Sequence, residues 1–349
     1  MNHYNISMER WIPKSVLVTG ASGFIGQHLV HRLIERGSRV TCLVRVTSYC
    51  DELQSIGAQM VTGDVTDRAS IDRVLAVSRP NIVFHLAGLV RALQADDFVR
   101  VNTGGTESVA AACACLNNPL RLVVVSSLAA AGPCSIDLPR VEEDLTSPVS
   151  AYGRSKLSGE LATARYAEKV SISIVRPPIV FGHGDRAGLE MFKPIARWGI
   201  HFVCGSGDQR FSLIHVSDLV EGLLLVGEQG ERLQPNGSSG QGIYFMSGQD
   251  NPSYAELGQA IAAALGKKGA TVVHVPRVFL QITGLCNNAM ARIRQRPCWL
   301  SGDKITEALA GSWMCSSAKA RTQLGWVPAA TLVERLYETA QWYRHAGWL

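Results

Sequence analysis

Short apolar runs recur through the first half of the chain, and segments with apolar residues at helical spacing separate them. Runs of four or five residues bounded by polar residues or glycine are typical of strands buried on both faces of a parallel sheet. The predicted strands lie at 16–19, 40–44, 59–62, 82–86, 122–126 and 172–175, and predicted helices include 24–35 and about 103–116. This alternation predicts an α/β fold built on a doubly wound parallel sheet.

A glycine-rich loop joins the first predicted strand to the first helix, in the sequence Thr-Gly-Ala-Ser-Gly-Phe-Ile-Gly at 19–26. Gly20 would allow the tight turn, Gly23 the close approach of a pyrophosphate, and Gly26 the packing of helix on strand. The free N–H groups of the helix N-terminus would then face the phosphates. The loop therefore predicts a Rossmann-type dinucleotide site.

The end of the second predicted strand bears on the choice of dinucleotide. Arg45 stands where an acidic residue would hold the ribose hydroxyl of NAD, and an arginine there can accommodate the 2′-phosphate of NADP. We therefore expect NADP, with NAD still possible because Asp51 lies close by.

The pattern changes after Arg176, where the Pro177-Pro178 pair and then Gly182, Gly184 and Gly188 interrupt regular structure. Helices are predicted at 219–226, 254–265 and 332–343, and a further strand at 243–246. We expect a flexible tail at 1–13 and a dinucleotide-binding domain at 14–182, to which 215–228 and 242–248 return. Most of 183–349 would form a smaller, interleaved C-terminal substrate lobe.

Composition and charge narrow the class of protein. Hydrophobic residues make up 46% of the chain and charged residues 18%, which is ordinary for a globular protein. The net charge of +5 is scattered, so nucleic acid is not an expected partner. The nine cysteines are widely spread, which favours reduced thiols in a cytoplasmic protein. No transmembrane segment is expected, because no apolar run reaches about 20 residues.

Candidate chemistry appears in the run Tyr-Gly-Arg-Ser-Lys at 152–156. In a helix, Tyr152 and Lys156 share one face. A neighbouring ammonium would lower the phenol pKa from about 10. Such a pair is common in isolation, but behind a dinucleotide loop it predicts proton transfer beside a nicotinamide.

His183, His201 and His215 lack the spacing of metal ligands, so no metal is predicted.

In their order along the chain, these motifs resemble the extended short-chain dehydrogenase/reductase family, the NAD-dependent epimerase/dehydratase group. The resemblance covers essentially the whole chain and is nearest the 3β-hydroxysteroid dehydrogenase and dihydroflavonol reductase branch. It implies a homodimer and a small-molecule substrate. The matching segments lie at 19–26, 63–65, 85–88, 102–106, 126–127, 152–156 and 176–178.

The resemblance also implies a role for each residue. Ser127 would hold the substrate oxygen, Tyr152 would be the general acid and base, Lys156 would hold the ribose, and Asn102 would assist nearby. The expected cofactor contacts are Gly20, Ser22, Gly23, Phe24, Ile25, Gly26, Arg45, Asp64, Val65, Leu86, Ala87, Gly88, Tyr152, Lys156, Pro178 and Val180.

Four features favour an apolar substrate over a nucleotide sugar. Sugar-nucleotide epimerases of the family usually carry an Asn where 189–192 has none, and Ala131 replaces a Tyr that many of them have. Arg210 stands five residues before His215 rather than four, so on an extended strand it would face the other way. The segment 278–293 predicts an apolar-rich helix, which could pack on the core, wall a pocket or rest on a membrane surface.

The leading hypothesis is therefore an NAD(P)-dependent oxidoreductase that interconverts a secondary alcohol and a ketone on a steroid-, lipid- or flavonoid-like substrate. The second is a nucleotide-sugar 4-epimerase or dehydratase with tightly held NAD. The third is a non-catalytic scaffold, against which the complete Ser, Tyr and Lys set argues.

Overall fold

A seven-stranded, all-parallel sheet forms the centre of the molecule. The computed structural model describes residues 12–235, 237–294 and 301–349, so positions 1–11 of the predicted tail lie outside the described residues. The strands are β1 (Ser15–Thr19), β2 (Arg39–Val44), β3 (Gln59–Thr62), β4 (Ile82–His85), β5 (Arg121–Val125), β6 (Ser171–Arg176), β7 (Ile179–Phe181), β8 (Ile200–Cys204), β9 (Leu213–His215), β10 (Ile243–Phe245) and β11 (Thr271–Val275). The sheet order is β10-β6-β5-β4-β1-β2-β3, while β7 pairs with β9 and β8 with β11.

Helices cover both faces of this sheet, and further helices pack beyond it. They are α1 (Phe24–Glu35), α2 (Asp51–Ser55), α3 (Arg68–Ser78), α4 (Ala95–Phe98), α5 (Thr106–Cys113), α6 (Leu128–Ala131), α7 (Ala151–Ala164), α8 (Arg186–Trp198), α9 (Val216–Gln229), α10 (Tyr254–Ala264), α11 (Arg277–Arg294), α12 (Gly302–Leu309), α13 (Ala318–Leu324) and α14 (Leu332–His345). One core cluster joins the sheet to α1 and α9, and a second joins its other face to α3 and α5. The fold is a Rossmann-type doubly wound sheet, as predicted.

The strand order reverses between β1 and β4, because the chain winds outward from β1 to β3 and then returns to place β4 on the other side of β1. Ligands of doubly wound sheets bind in the crevice that opens at such a reversal, at the carboxyl ends of the strands. The late strand β10 joins the sheet edge beside β6, in the segment predicted to return to the sheet.

The helix predicted at 103–116 differs from the structure. A π-helical segment, Val99–Gly105, separates the short α4 from α5, so the helical region begins earlier and ends earlier than predicted. The reason is close packing: a Cβ at Gly159 of α7 would lie only 2.6 Å from the carbonyl oxygen of Asn102. The widened π turn lies where α7 comes closest.

The apolar-rich segment at 278–293 is helical as predicted, within α11. Gly284 is buried, and a Cβ there would meet Ile305 of α12 at 2.7 Å, so one face of α11 packs on α12. Val278, Phe279 and Ile282 are each more than half exposed, so packing on the core does not explain these positions. Within the described ranges, no helix is both long and apolar enough to cross a membrane.

Candidate active site

The glycine loop brings the backbones of β1 and β4 into close contact. Gly20 has a left-handed φ of 72°, and a Cβ there would lie 2.6 Å from the Ala87 nitrogen. A Cβ at Gly26 would lie 2.2 Å from the carbonyl oxygen of Gly20. Side chains at these two positions would therefore distort the loop, which leaves the N-terminus of α1 open toward the crevice.

Two adjoining cavities of about 600 Å³ and 240 Å³ follow this crevice and share the glycine loop. Every residue predicted to contact the cofactor lines at least one of them. The larger cavity contains the nicotinamide-side candidates Tyr152, Lys156, Pro178 and Val180. Arg45, Asp64 and Val65 line the smaller one, as expected for the adenosine end. The two cavities share the glycine loop, which lies between the nicotinamide-side and the adenosine-side residues. Backbone N–H groups at this point suit the phosphates of a dinucleotide.

Ser127, Tyr152 and Lys156 meet at the carboxyl ends of the central strands. Ser127 follows β5 and caps α6, where its hydroxyl accepts a hydrogen bond of 3.1 Å from the Ala129 nitrogen, and it lines the same cavity as the Tyr152 phenol. Tyr152 and Lys156 lie one turn apart on α7, and each is 8% exposed. The Lys156 ammonium donates a hydrogen bond of 2.8 Å to the carbonyl oxygen of Val125.

The electrostatics of this group include one cation that the sequence did not predict. Burial raises the pKa of the Tyr152 phenol, and the cation that opposes this rise is Lys304, with the nearby Ser127 hydroxyl acting in the same direction as Lys304. Burial also lowers the pKa of Lys156 to about 8. The effect of Lys156 on the phenol pKa stays a prediction, because the cation that lowers this pKa in the structure is Lys304.

Asn102 is buried behind the site and does not line the cavities. Its side-chain oxygen accepts a hydrogen bond of 2.7 Å from the Leu89 nitrogen, and its amide donates 2.9 Å bonds to the Leu89 oxygen and to Ser155 Oγ. These bonds tie the loop after β4 to the catalytic helix α7. Asn102 therefore positions the loop after β4 against α7 and does not contact the reacting groups directly.

A buried ion pair beneath the site was not predicted. The Arg176 guanidinium donates to the Glu160 carboxylate at 2.5 Å and 3.0 Å, and both side chains are less than 5% exposed. Ser126, directly before Ser127, also hydrogen-bonds Glu160. Charges this deeply buried persist only when paired, so the three residues fix α7 against the ends of β5 and β6.

A third cavity, of about 470 Å³, opens over Ser127 and Tyr152. It shares Ser127, Tyr152, Pro178 and Val180 with the larger cofactor cavity. Its apolar walls come from both parts of the chain and include Val90, Leu128, Ile179, Phe211, Ala308 and Trp313. Sequence reasoning did not identify Trp313 or Ala308, because no local motif links residues so far apart to the Tyr-Lys pair.

The spacing of Arg210 from His215 was one of the features that favoured an apolar substrate over a nucleotide sugar. In the structure, the Arg210 side chain binds groups outside this cavity. Its guanidinium donates a 2.8 Å hydrogen bond to the Asn251 carbonyl and lies 3.7 Å from Glu256. The neighbouring Phe211 lines the cavity instead. Glu256 of α10 is the carboxylate that pairs with Arg210.

Two histidines without ligand spacing in the sequence nevertheless lie together. Ligand atoms of His183, His215 and Glu338 fall within 4.8 Å of one another, and His215 Nε2 has no hydrogen-bond partner. His215 Nδ1 accepts from the Ser217 nitrogen at 3.3 Å, so in the neutral ring Nε2 carries the proton. Arg335 already pairs with Glu338 at 2.8 Å. The proton on His215 Nε2 and the pairing of Glu338 with Arg335 both disfavour the binding of a cation by these three residues.

Comparison with known proteins agrees with the site. Residues 16–238 match the family described as the NAD dependent epimerase/dehydratase family. The chain is 30% identical to a ceramide reductase of Caulobacter vibrioides over 96% of both chains. It is 27% identical to a UDP-glucose 4-epimerase of Vibrio cholerae over 97% of this chain and 98% of the relative.

A solved structure shares the fold. The UDP-glucose 4-epimerase of Thermotoga maritima with UDP-glucose superposes with a TM-score of 0.76, over 95% of this chain and 99% of that one, at 21% identity. The matched family covers well over half of the chain, and the site residues it needs surround one crevice. This chain belongs to the NAD-dependent epimerase/dehydratase family and is an NAD(P)-dependent dehydrogenase/reductase or epimerase.

Proposed function

We propose that this protein is an NADP-dependent oxidoreductase that interconverts a ketone and a secondary alcohol on a fairly apolar, lipid-like substrate. The observation that carries the proposal is the cavity over Ser127 and Tyr152. Most of its lining residues are apolar, Phe211 and Trp313 among them, which suits an apolar substrate, and its charged residues are Arg91, Lys304 and Glu307. The similarity to a ceramide reductase supports the same substrate class.

The residues present account for the chemistry of ketone reduction. A bound nicotinamide supplies the hydride. Ser127 donates a hydrogen bond to the carbonyl oxygen and Tyr152, neutral because it is buried, donates a proton to it. One ketone, one hydride from NADPH and one proton from Tyr152 would thus give one alcohol, NADP⁺ and the Tyr152 phenolate. In the reverse direction the phenolate of Tyr152 takes the hydroxyl proton.

NADP is the proposed dinucleotide because Arg45 and Ser48 line the adenosine end of the crevice. The Arg45 backbone nitrogen donates to Ser48 Oγ at 3.2 Å, which holds this loop together. A guanidinium there can pair with a 2′-phosphate, whereas a free 2′-hydroxyl gives it no charge to bind.

The test is a panel of substrates assayed with NADPH and NADH. It contains a ketone form of ceramide, a long-chain 3-oxo acid, a 3-ketosteroid, a dihydroflavonol, UDP-glucose and UDP-galactose. We expect NADPH oxidation with at least one lipid ketone and no interconversion of the two sugars. Interconversion of UDP-glucose and UDP-galactose without net cofactor consumption would establish the epimerase alternative instead.

A further inference from the structure

We propose that Lys304 of α12, in the C-terminal lobe, is a positioning residue that places a second positive charge against the Tyr152 ring and favours its ionised form. The proposal rests on the proposed function only in taking Tyr152 as the proton donor. None of the motifs that define the dinucleotide site includes α12, and Lys304 lies far from them along the chain.

The first observation is the position of the Lys304 ammonium. Its nitrogen lies 4.8 Å from the centroid of the Tyr152 ring, within the range of a cation–π contact. The same nitrogen is 2.7 Å from a carboxylate oxygen of Glu307, one turn further along α12. Lys304 is 34% exposed and Tyr152 is buried, so water screens the pair less than it would at the surface.

The second observation is that α12 is fastened to the start of the catalytic helix. The Asp303 carboxylate accepts hydrogen bonds from the backbone nitrogens of Ala151 at 2.6 Å and Tyr152 at 3.1 Å. Ala151 and Tyr152 are the first two residues of α7, so no carbonyl within the helix can accept hydrogen bonds from their N–H groups. Ser150, which caps α7, donates a 2.6 Å hydrogen bond to Glu307. Lys304 is therefore held from both sides by residues anchored to α7.

The third observation concerns the other charges that face Tyr152. Glu307 acts in the opposite sense to Lys304, Asp303 faces the backbone end of the residue, and Lys156 shares its helix. Arg91 lines the same cavity from the loop after β4. Among the side-chain charges, Lys304 has the largest effect on the Tyr152 pKa and lowers it, while Glu307 raises it less. The net influence of α12 thus favours the phenolate.

The experiment places difluorotyrosine, whose phenol ionises at lower pH, at position 152 and follows its ionisation by absorbance in the full-length protein. Lys304→Met removes the charge and keeps the linear side chain, and Lys304→Gln is a second neutral variant. We expect both to raise the midpoint by about one pH unit, a tenfold change in the ionised fraction. Lys304→Arg should keep the original midpoint.

Lys193→Gln is the matched control, because it removes an equal charge from an exposed pair with Glu190 on α8. It should leave the midpoint unchanged. An unchanged midpoint in both neutral variants would overturn the proposal, and so would a shift in Lys304→Arg as large as theirs. Melting curves establish that each variant is folded before it is titrated.

A kinetic measurement separates this proposal from the proposed function. In the direction of alcohol oxidation, which needs the phenolate, the acid limb of the kcat/KM profile should move to higher pH in Lys304→Met. The absorbance midpoint requires no substrate, so it tests the role of Lys304 even if every compound in the panel fails. Turnover of a lipid ketone with an unmoved midpoint would reject Lys304 and retain the oxidoreductase.

Discussion

At the scale of single residues, the site joins a phenol held neutral by burial to a lysine that donates to a backbone carbonyl. Sequence reasoning located Tyr152, Lys156 and Ser127, because each stands in or beside a short motif that local spacing reveals. It placed Asn102 near the site without showing its contacts, and it did not find Lys304. Asn102 contacts Leu89 and Ser155 from within the π-helical turn. The spacing of apolar residues in the sequence does not predict such a turn.

Replacement of Tyr152 by Phe should remove the proton donor and leave the shape of the crevice. We expect kcat to fall by about 10²–10⁴-fold, the usual contribution of a general acid, with the Kd for NADPH within about twofold of wild type. Steady-state kinetics and a fluorescence titration of NADPH measure the two quantities. Tyr337→Phe, at an exposed position of α14, is the control. Full activity in Tyr152→Phe would contradict the assigned role.

At the scale of elements, α7 is the part on which the site is built. Its N-terminus is capped by Ser150 and bound by α12, and its middle is fixed by the Glu160–Arg176 pair. The seven strands of the central sheet and α1 were predicted to within about two residues, because their apolar runs are local. The strands of the two small pairs, β7 with β9 and β8 with β11, were not predicted. The docking of α12 was not predictable, since Asp303 and Ala151 are 152 residues apart in sequence.

Glu160→Gln should destabilise the fold by about 3–5 kcal/mol, because it leaves the Arg176 guanidinium buried without its counter-charge. The double variant with Arg176→Met should be less destabilised than the single one. Chemical denaturation monitored by circular dichroism gives both free energies of unfolding. Glu168→Gln, at an exposed turn beyond α7, serves as the control. Equal stability of Glu160→Gln and wild type would show that the pair contributes nothing.

At the scale of the whole molecule, cofactor binding should stabilise the entire chain. A ligand at 100 times its Kd adds about 2.7 kcal/mol to the free energy of unfolding when it binds only the folded state. We expect NADPH to raise Tm more than NADH at equal concentration, and Arg45→Ser to remove that difference. Differential scanning fluorimetry measures the shifts. A larger shift with NADH in the wild-type protein would overturn the NADP preference.

The attachment of α12 to α7 also matters for chimeras in which one lobe is replaced by that of a related protein. Lys304, Glu307 and Ala308 line the substrate cavity, and two of them also touch the catalytic helix or its phenol. A C-terminal lobe transplanted from a relative would therefore bring its own proton chemistry along with its own specificity. On the proposed role of Lys304, one helix, α12, would carry part of both properties.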